Sequence, residues 1–381
     1  MIFMAGFLFA WLVGQVHAQD VVFRAGEILM VVADASCPIP AVRQKTGGAV
    51  SWFEKKSARI SRVAHAVVAE RDLRASDLIA MKHNSCIQEI AANPKIRIAS
   101  ALTDEWLTDQ RAWPAIAHAD AERVFYHPLY GIRRSVVVAV VDTGVQMDHP
   151  DLVRRMWRSA SGFGYDFFNG DDDPSDDQGH GTHVAGLIGA ERANGIGVRG
   201  IMGEWAQLMP VKTQGKDGGG LLSDLVNGVR WAADQGAEVI NLSLAGRQDS
   251  PVLRAAIEHA ISLNSVVVAA AGNDGVEITP ANFYSPAGYA PELQGLVSVG
   301  AFDALNLTKP GFSNHSPSYI EISAPGSAGT RGILSTYLGS RYGSLDGTSQ
   351  SAPMVSGAAA LAIGFLKTAI ICTRRLRLKS C

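Results

Sequence analysis

Residues 136–141 read Val-Val-Val-Ala-Val-Val. β-Branched side chains are stiff about χ1 and favour extended backbone, and this run offers no polar face to water. As a strand it has to be covered on both sides, the setting of a parallel sheet between two helical layers. It belongs to the first of five candidate strands, at residues 135–141, 207–212, 238–242, 265–271 and 296–299. Helical stretches at 183–193, 222–235 and 252–263 fall between them. Strand and helix in alternation predict an α/β domain with a doubly wound, mostly parallel sheet. Ligands of such sheets sit at the carboxyl ends of the strands, and the chemistry is to be sought there.

The chain ahead of this domain has a different rhythm. Residues 1–18 carry an apolar run from Ile2 to Val13 and then Val16-His17-Ala18, the pattern of a signal peptide cleaved after Ala18. A membrane anchor is the alternative, but the run is shorter than the roughly 20 residues a span needs. Export to the extracellular space or periplasm makes four cysteines readable as two pairs, Cys37 with Cys86 and Cys372 with Cys381, with free thiols as the alternative. A small α+β unit follows: a strand at 27–32, the segment 58–70, a helix at 76–92 from the spacing of Leu78, Ile79, Met81, Ile87 and Ile90, a stop at Asn93-Pro94, and an edge strand at 95–99. An exposed polar stretch at 103–111 joins it to the remainder. Hydrophobic residues at 47% against 18% charged exclude a disordered chain. The 34 basic and 36 acidic residues leave a net charge of -2, which gives no electrostatic case for nucleic acid as a partner.

Three motifs fall where strands end or helices begin: Val140-Val141-Asp142-Thr143-Gly144, Gly179-His180-Gly181-Thr182-His183-Val184-Ala185-Gly186, and Gly347-Thr348-Ser349-Gln350-Ser351-Ala352-Pro353. Together they hold the inventory of nucleophilic catalysis. A serine hydroxyl attacks poorly until a neutral imidazole takes its proton, and a carboxylate on the other ring nitrogen fixes the tautomer. Each motif alone has a plainer reading. Asp142 is also a strand-end turn residue, Ser349 a helix N-cap, and His180 with His183 a spacing that suits metal ligation, though the residues flanking them are glycine and threonine, with no third ligand such as a Glu.

In order and content these blocks resemble the subtilisin-like serine proteases, or subtilases, over about residues 109–366; the order Asp, His, Ser is the one long tabulated for subtilisin. Asn241-Leu242-Ser243-Leu244, Ala269-Ala270-Ala271-Gly272-Asn273, and Phe312-Ser313-Asn314 with Ala324-Pro325-Gly326 extend the likeness. The resemblance implies a catalytic Asp142, His180 and Ser349, an oxyanion donor in Asn273, and a structural, hydrogen-bonded His183. It also implies a substrate-binding edge formed by Ser243, Leu244, Ala245, Ala271 and Gly272, where an extended polypeptide adds as a strand. Ala245 departs from the family's glycine and narrows the mouth of the primary pocket, and Tyr284 falls near the floor of that pocket. The resemblance assigns no preferred residue at the cleaved bond.

Asp166, Asn169, Asp171 and Asp173 supply oxygens at alternating spacing just before His180, and some subtilases hold calcium there. A solvated acidic loop is the alternative. Asp151 resembles a ligand of the family's tighter calcium site. The organisation implied is a signal peptide at 1–18, an inhibitory propeptide at 19–103 and a peptidase domain at 104–381, a secreted, self-processing, monomeric zymogen inhibited by its own propeptide. About 30 residues follow Ser349, fewer than the family carries, so a catalytically impaired binding protein on the same fold is the alternative. The apolar run 352–366 is read as the buried helix carrying Ser349 rather than a membrane span. A lipase or esterase would need a Gly-x-Ser-x-Gly elbow and another residue order, and Ser349 lacks both.

Overall fold

The structure is a computed structural model. It describes the backbone of residues 104–126, 132, 134–160 and 162–376, with six short strands before residue 93, and side chains up to residue 367. The chain divides into two compact units, Met1–Ser100 and Ala101–Cys381. In the first, β1 (Val22–Phe23) pairs with β5 (Leu73–Arg74), while β2 (Ile28–Val32), β3 (Trp52–Glu54), β4 (Ala66–Ala69) and β6 (Ile87–Ala92) form an antiparallel sheet in the order β3-β4-β2-β6. The strand expected at 27–32 is present as β2. The helix expected over 76–92 is not what its end adopts: residues 87–92 are strand, paired from Ile28 with Ala92 to Val32 with Ile87. Apolar residues three apart in a short run fit either state, and pairing with β2 decides the matter. The edge strand at 95–99 and the start of that helix lie outside the described residues. So do the side chains of all four cysteines.

The second unit is built on a seven-stranded sheet whose neighbours all run parallel: β7 (Val136–Asp142), β8 (Tyr165–Asp166), β9 (Ala206–Lys212), β10 (Val239–Leu242), β11 (Val266–Ala270), β12 (Leu296–Asp303) and β13 (Ile322–Ser327), in the order β13-β12-β11-β10-β7-β9-β8. The helices are α1 (Ala112–Ala115), α2 (His118–Phe125), α3 (His180–Gly189), α4 (Leu222–Asp234), α5 (Pro251–Ser262) and α6 (Thr348–Leu376). A hairpin of β14 (Ile333–Tyr337) and β15 (Arg341–Leu345) precedes α6. The valine run of β7 shows why the sheet has two covers. Val136, Val138 and Val140 join a core with Val184 and Leu187 of α3 and Ala352 and Leu361 of α6. Ala139 and Val141 join a second core with Val229 of α4 and Leu253 and Ile257 of α5, with Val137 packed against it. The period of two thus divides one apolar run between opposite faces.

The five expected strands are present. Several elements escape the sequence reading, among them α1, α2, β8, β13 and the β14–β15 hairpin. β13 contains Pro325 and Gly326, which read as turn; as an edge strand it tolerates a proline. The hairpin and the two-residue β8 are too short or too polar to stand out. The helix α6 is long and apolar enough to cross a membrane by length and composition, yet 56% of its apolar window is buried inside the protein, where it serves as the central helix of one core.

The stretch at 103–111, where it is described, is anchored to the domain at two points, although Glu105, Thr108 and Asp109 are exposed. Asp104 and Gln110 are buried. Arg199 donates to Asp104 Oδ2 at 2.9 Å and to Glu122 Oε1 at 2.7 Å, and Gln110 exchanges two bonds with the Arg199 backbone, at 2.9 Å each. An isolated buried carboxylate is costly, so the guanidinium fork has to be there. Arg199→Ala leaves Asp104 without its cation. Denaturant unfolding of the variant should show a loss of about 3 kcal/mol or more.

Candidate active site

Asp142 ends β7, an interior strand of the sheet, and is 1% exposed. His180 opens α3, whose first turn lies against the Asp142-Thr143-Gly144 turn. That approach requires glycine next to the histidine, because a Cβ on Gly181 would come within 2.0 Å of Gly144 O. His180 Nδ1 is 2.7 Å from Asp142 Oδ1, which also accepts from Thr143 N–H at 2.8 Å. A carboxylate only accepts, so Nδ1 carries the hydrogen and Nε2 keeps its lone pair, as a general base must. Burial disfavours the imidazolium of His180, but the charge and hydrogen bond of Asp142, helped by Asp176, outweigh it and raise the pKa above its usual range.

Asp176 is the residue the sequence reading missed. Its Oδ1 accepts from Thr143 Oγ1, Gln178 N–H and Gly179 N–H, and its Oδ2 from the N–H and hydroxyl of Thr182, all between 2.6 and 3.0 Å. One carboxylate thus ties the turn after Asp142 to the first turn of α3. The helix begins at His180, three residues before the expected start, because the orphan N–H groups of its first turn find side-chain acceptors: Gln178 Oε1 for His180, Thr143 Oγ1 for Gly181 and Asp176 Oδ2 for Thr182. At the other end Gly200, Ile201 and Met202 donate to Ala190, Leu187 and Ile188, which ends the helix at Gly189 instead of 193. An acidic residue just ahead of a helical run is the available signal.

Ser349 is the second residue of α6, and Pro353 stands four residues on. Proline has no N–H, so the Ser349 carbonyl loses its helical donor. Ser243 Oγ takes that place at 2.9 Å, and Ser349 Oγ in turn donates to Ser243 O at 2.9 Å. Asn241 Nδ2 donates to Ser243 Oγ, and Ser356 Oγ to Asn241 Oδ1. Among the described residues no hydrogen bond joins Ser349 to His180; the Asp142–His180 half of the expected triad is bonded and the serine half is not. Asn273 follows β11. Its Oδ1 accepts from Thr348 N–H and Thr348 Oγ1, at 2.8 and 2.9 Å, which turns its amide hydrogens away from Thr348.

Beyond Ser243, no hydrogen bond to the backbone of Leu244 or Ala245 occurs among the described residues, while Gly246 exchanges two with Ser285. Leu244 and Ala245 therefore offer unpaired strand groups, beside an open cavity of about 420 Å³ lined partly by Leu221, Leu222 and Leu225. Ala271 and Gly272 form the facing segment, held by Asn314, whose Nδ2 donates to Ala271 O and whose Oδ1 accepts from Asp274 and Val276 N–H.

The oxygen donors of the acidic loop suit calcium chemically. As placed, they are turned to their own neighbours: Asp166 accepts from Asn169 N–H and Nδ2, Asp171 from Asp173 N–H, and Asp173 from Ser175 N–H and Oγ. Among the described residues no three His, Cys, Asp or Glu side chains come together as a metal-holding group. Asp151 meets a loop the sequence did not identify, accepting from Asn194 Nδ2, Val198 N–H and Tyr342 OH.

A carboxylate-bound imidazole and a helix-borne serine at the carboxyl edge of a doubly wound sheet define a subtilisin-like site. A profile of the Subtilase family matches residues 133–370, and the chain belongs to that family. It is similar to a thermophilic serine proteinase of Bacillus sp. (strain AK1), 41% identical over 224 residues, which is 59% of this chain and 51% of that protein; the chain thus spans about half of that relative's length. Thermitase of Thermoactinomyces vulgaris is 40% identical over 59% of this chain and 73% of its own. The major intracellular serine protease of Bacillus subtilis (strain 168) is 37% identical over 71% of this chain and 81% of its own.

His183, three residues after His180, is fully buried, and its Nε2 faces Ile333 O at 2.9 Å and Gly343 O at 3.2 Å. Carbonyls only accept, so Nε2 carries the hydrogen, and Nδ1 has no partner. Burial, with the charge of His180 adding to it, pushes the pKa down to about 3. The unfolded chain takes up this proton near pH 6.5. Stability from this group is therefore complete above that pH and drains away as the pH falls toward 3, at up to about 1.4 kcal/mol per pH unit. Thermal melts between pH 7 and 4 should show that decline, and His183→Gln should flatten it.

Proposed function

We propose that this subtilase is a serine endopeptidase that cleaves extended polypeptides through an acyl-enzyme on Ser349. The observation that carries the reading is the 2.7 Å bond between His180 Nδ1 and the buried Asp142, which leaves Nε2 unprotonated at the helix edge. In the reacting complex the Ser349 hydroxyl leaves Ser243 O and donates to His180 Nε2; catalytic hydrogen bonds often tighten only when substrate is bound. Its oxygen attacks the peptide carbonyl as His180 takes the proton, and Asp142 stabilises the imidazolium. The oxyanion accepts from the Asn273 amide and the Ser349 N–H, and His180 then protonates the leaving amine. Water hydrolyses the resulting ester by the same route. The substrate backbone pairs with Leu244 and Ala245, between Ser243 and the facing Ala271 and Gly272.

The Ser349–Ser243 bond is the observation that favours the second reading, an impaired binding protein on the same fold. A fluorophosphonate label separates the two, because only an activated serine reacts. Export, removal of residues 1–18, and inhibition by residues 19–103 until self-cleavage belong to the proposal, with a monomeric product that has no nucleic-acid partner. A parallel sheet needs long-range contacts early, which is a reason for a folding template. Ser349→Ala should lose labelling and casein hydrolysis and accumulate as an uncut precursor. Cleavage of that variant in a protease-free host would remove self-processing from the scheme, and retained turnover would remove Ser349.

Calcium in the loop of Asp166, Asn169, Asp171 and Asp173 is proposed on donor chemistry alone, since Asn169 would have to release Asp166. A ligand bound only by the folded state stabilises it by mass action. Bound calcium should make the melting temperature fall on chelation, and fall less in Asp171→Ala. An equal melting temperature with and without chelator leaves a solvated loop held by its own amides.

A further inference from the structure

We propose that Tyr284, braced by Asp274 and Arg247, fills the primary specificity pocket, so that the enzyme cleaves after small side chains such as alanine and rejects aromatic ones; this rests on the peptidase reading above. A substrate whose carbonyl lies between Ser349 and the Asn273 amide, with its backbone along Leu244 and Ala245, must direct the adjoining side chain between the Ala245 wall and the Gly272 wall. That space is already occupied. A methyl built on Gly272 would lie 3.3 Å from the Ala245 Cβ, 3.2 Å from Tyr284 Cδ1 and 2.5 Å from Asn314 Nδ2.

The Tyr284 ring is 2% exposed and packs with Ala271, Ile278 and Ala287. Its hydroxyl donates to Asp274 Oδ2 at 2.6 Å. The Arg247 guanidinium lies over the ring, 5.5 Å from its centre, and 3.4 Å from the Asp274 carboxylate. Arg247 continues the Ser243–Ala245 wall and Asp274 the Ala271–Gly272 wall, so the ion pair joins one wall to the other across the ring. The wall is also pinned from behind by the three bonds of Asn314. A phenyl or isobutyl group could enter only by displacing a buried ring together with its hydroxyl bond. A methyl group needs no such displacement.

The test compares two peptide anilides that differ only in alanine or phenylalanine before the cleaved bond. The wild-type protein should favour alanine in kcat/KM by about tenfold or more, the scale a shaped apolar pocket achieves. Tyr284→Gly should reverse that preference, whereas Tyr284→Phe, which keeps the ring, should retain it. Tyr284→Gly could unfold a packed region, so Ala245→Gly, at an exposed position, is the second variant and should raise the phenylalanine-to-alanine ratio severalfold. Calorimetry with the two corresponding peptide acids reads the pocket without turnover, and the alanine acid should bind more tightly. Equal or tighter binding of the phenylalanine acid, or a wild-type preference for the phenylalanine anilide, overturns the filled pocket. Absence of fluorophosphonate labelling would overturn the peptidase reading instead, while the calorimetric ratio still decides what Tyr284 does.

Discussion

The exchange between Ser243 and Ser349 is the contact on which the rest of the site depends. Pro353 removes one backbone donor from the first turn of α6, and the vacancy at the Ser349 carbonyl is filled by a side chain from the end of β10. An unsatisfied buried carbonyl would cost about 1–3 kcal/mol, so a proline that looks like a defect in a helix fastens that helix to the sheet. Asn241 and Ser356 extend the fastening into the core, and Ser351 adds a bond to Ala324 O of β13. Parallel pairing brings the carboxyl ends of β7, β10 and β11 to one edge. Asp142, Ser243 and Asn273 can therefore meet elements that come from 38 to 106 residues away in sequence.

Two histidines one helical turn apart show how far environment divides identical side chains. His180 lies beside the Asp142 carboxylate with Asp176 nearby, and its positive form is favoured. His183 faces two carbonyls from the hairpin side in a fully buried position, and its neutral form is favoured so strongly that its pKa falls to about 3. The same helix thus carries one imidazole that favours the proton and one that refuses it. A charged His183 would bury an unpartnered N–H and add repulsion to the imidazolium of His180. A neutral His183 avoids both.

Asp176 belongs with these residues rather than with the acidic loop that leads to it. The loop carboxylates close short turns on their own segment, whereas Asp176 collects five donors from the turn after Asp142, the approach to α3 and its first turn, and its charge also reaches the imidazole. At the opposite wall of the cleft Asn314 does comparable work for the segment after β11, with one amide serving Ala271, Asp274 and Val276. Both residues hold the backbone that carries the candidate site residues His180 and Asn273. Rigid mounting of that kind is what electrostatic stabilisation of a transition state requires.

What the sequence determined by itself was the layered α/β class and the motifs of the subtilase family. The valine run allows only a doubly covered strand, and Asp142, His180, Ser349 and Asn273 stand in motifs whose residue types limit the chemistry. The central strands were legible because burial on both faces leaves an unmistakable composition. β13 was not, because its Pro325 and Gly326 are tolerated only through its place at the sheet edge. The strand at Ile87–Ala92 was not, because apolar spacing is ambiguous until a partner supplies backbone bonds. Asp104 read as part of an exposed joint until Arg199, 95 residues away, gave it a buried cation. Tyr284 lay near the pocket by resemblance alone, and only the meeting of Ala245, Gly272, Asp274 and Arg247 around it gave the ring its place. The division follows from range. Composition and local periodicity are written in consecutive residues, whereas the partner of a carboxylate, a carbonyl or a ring is chosen by the folded chain.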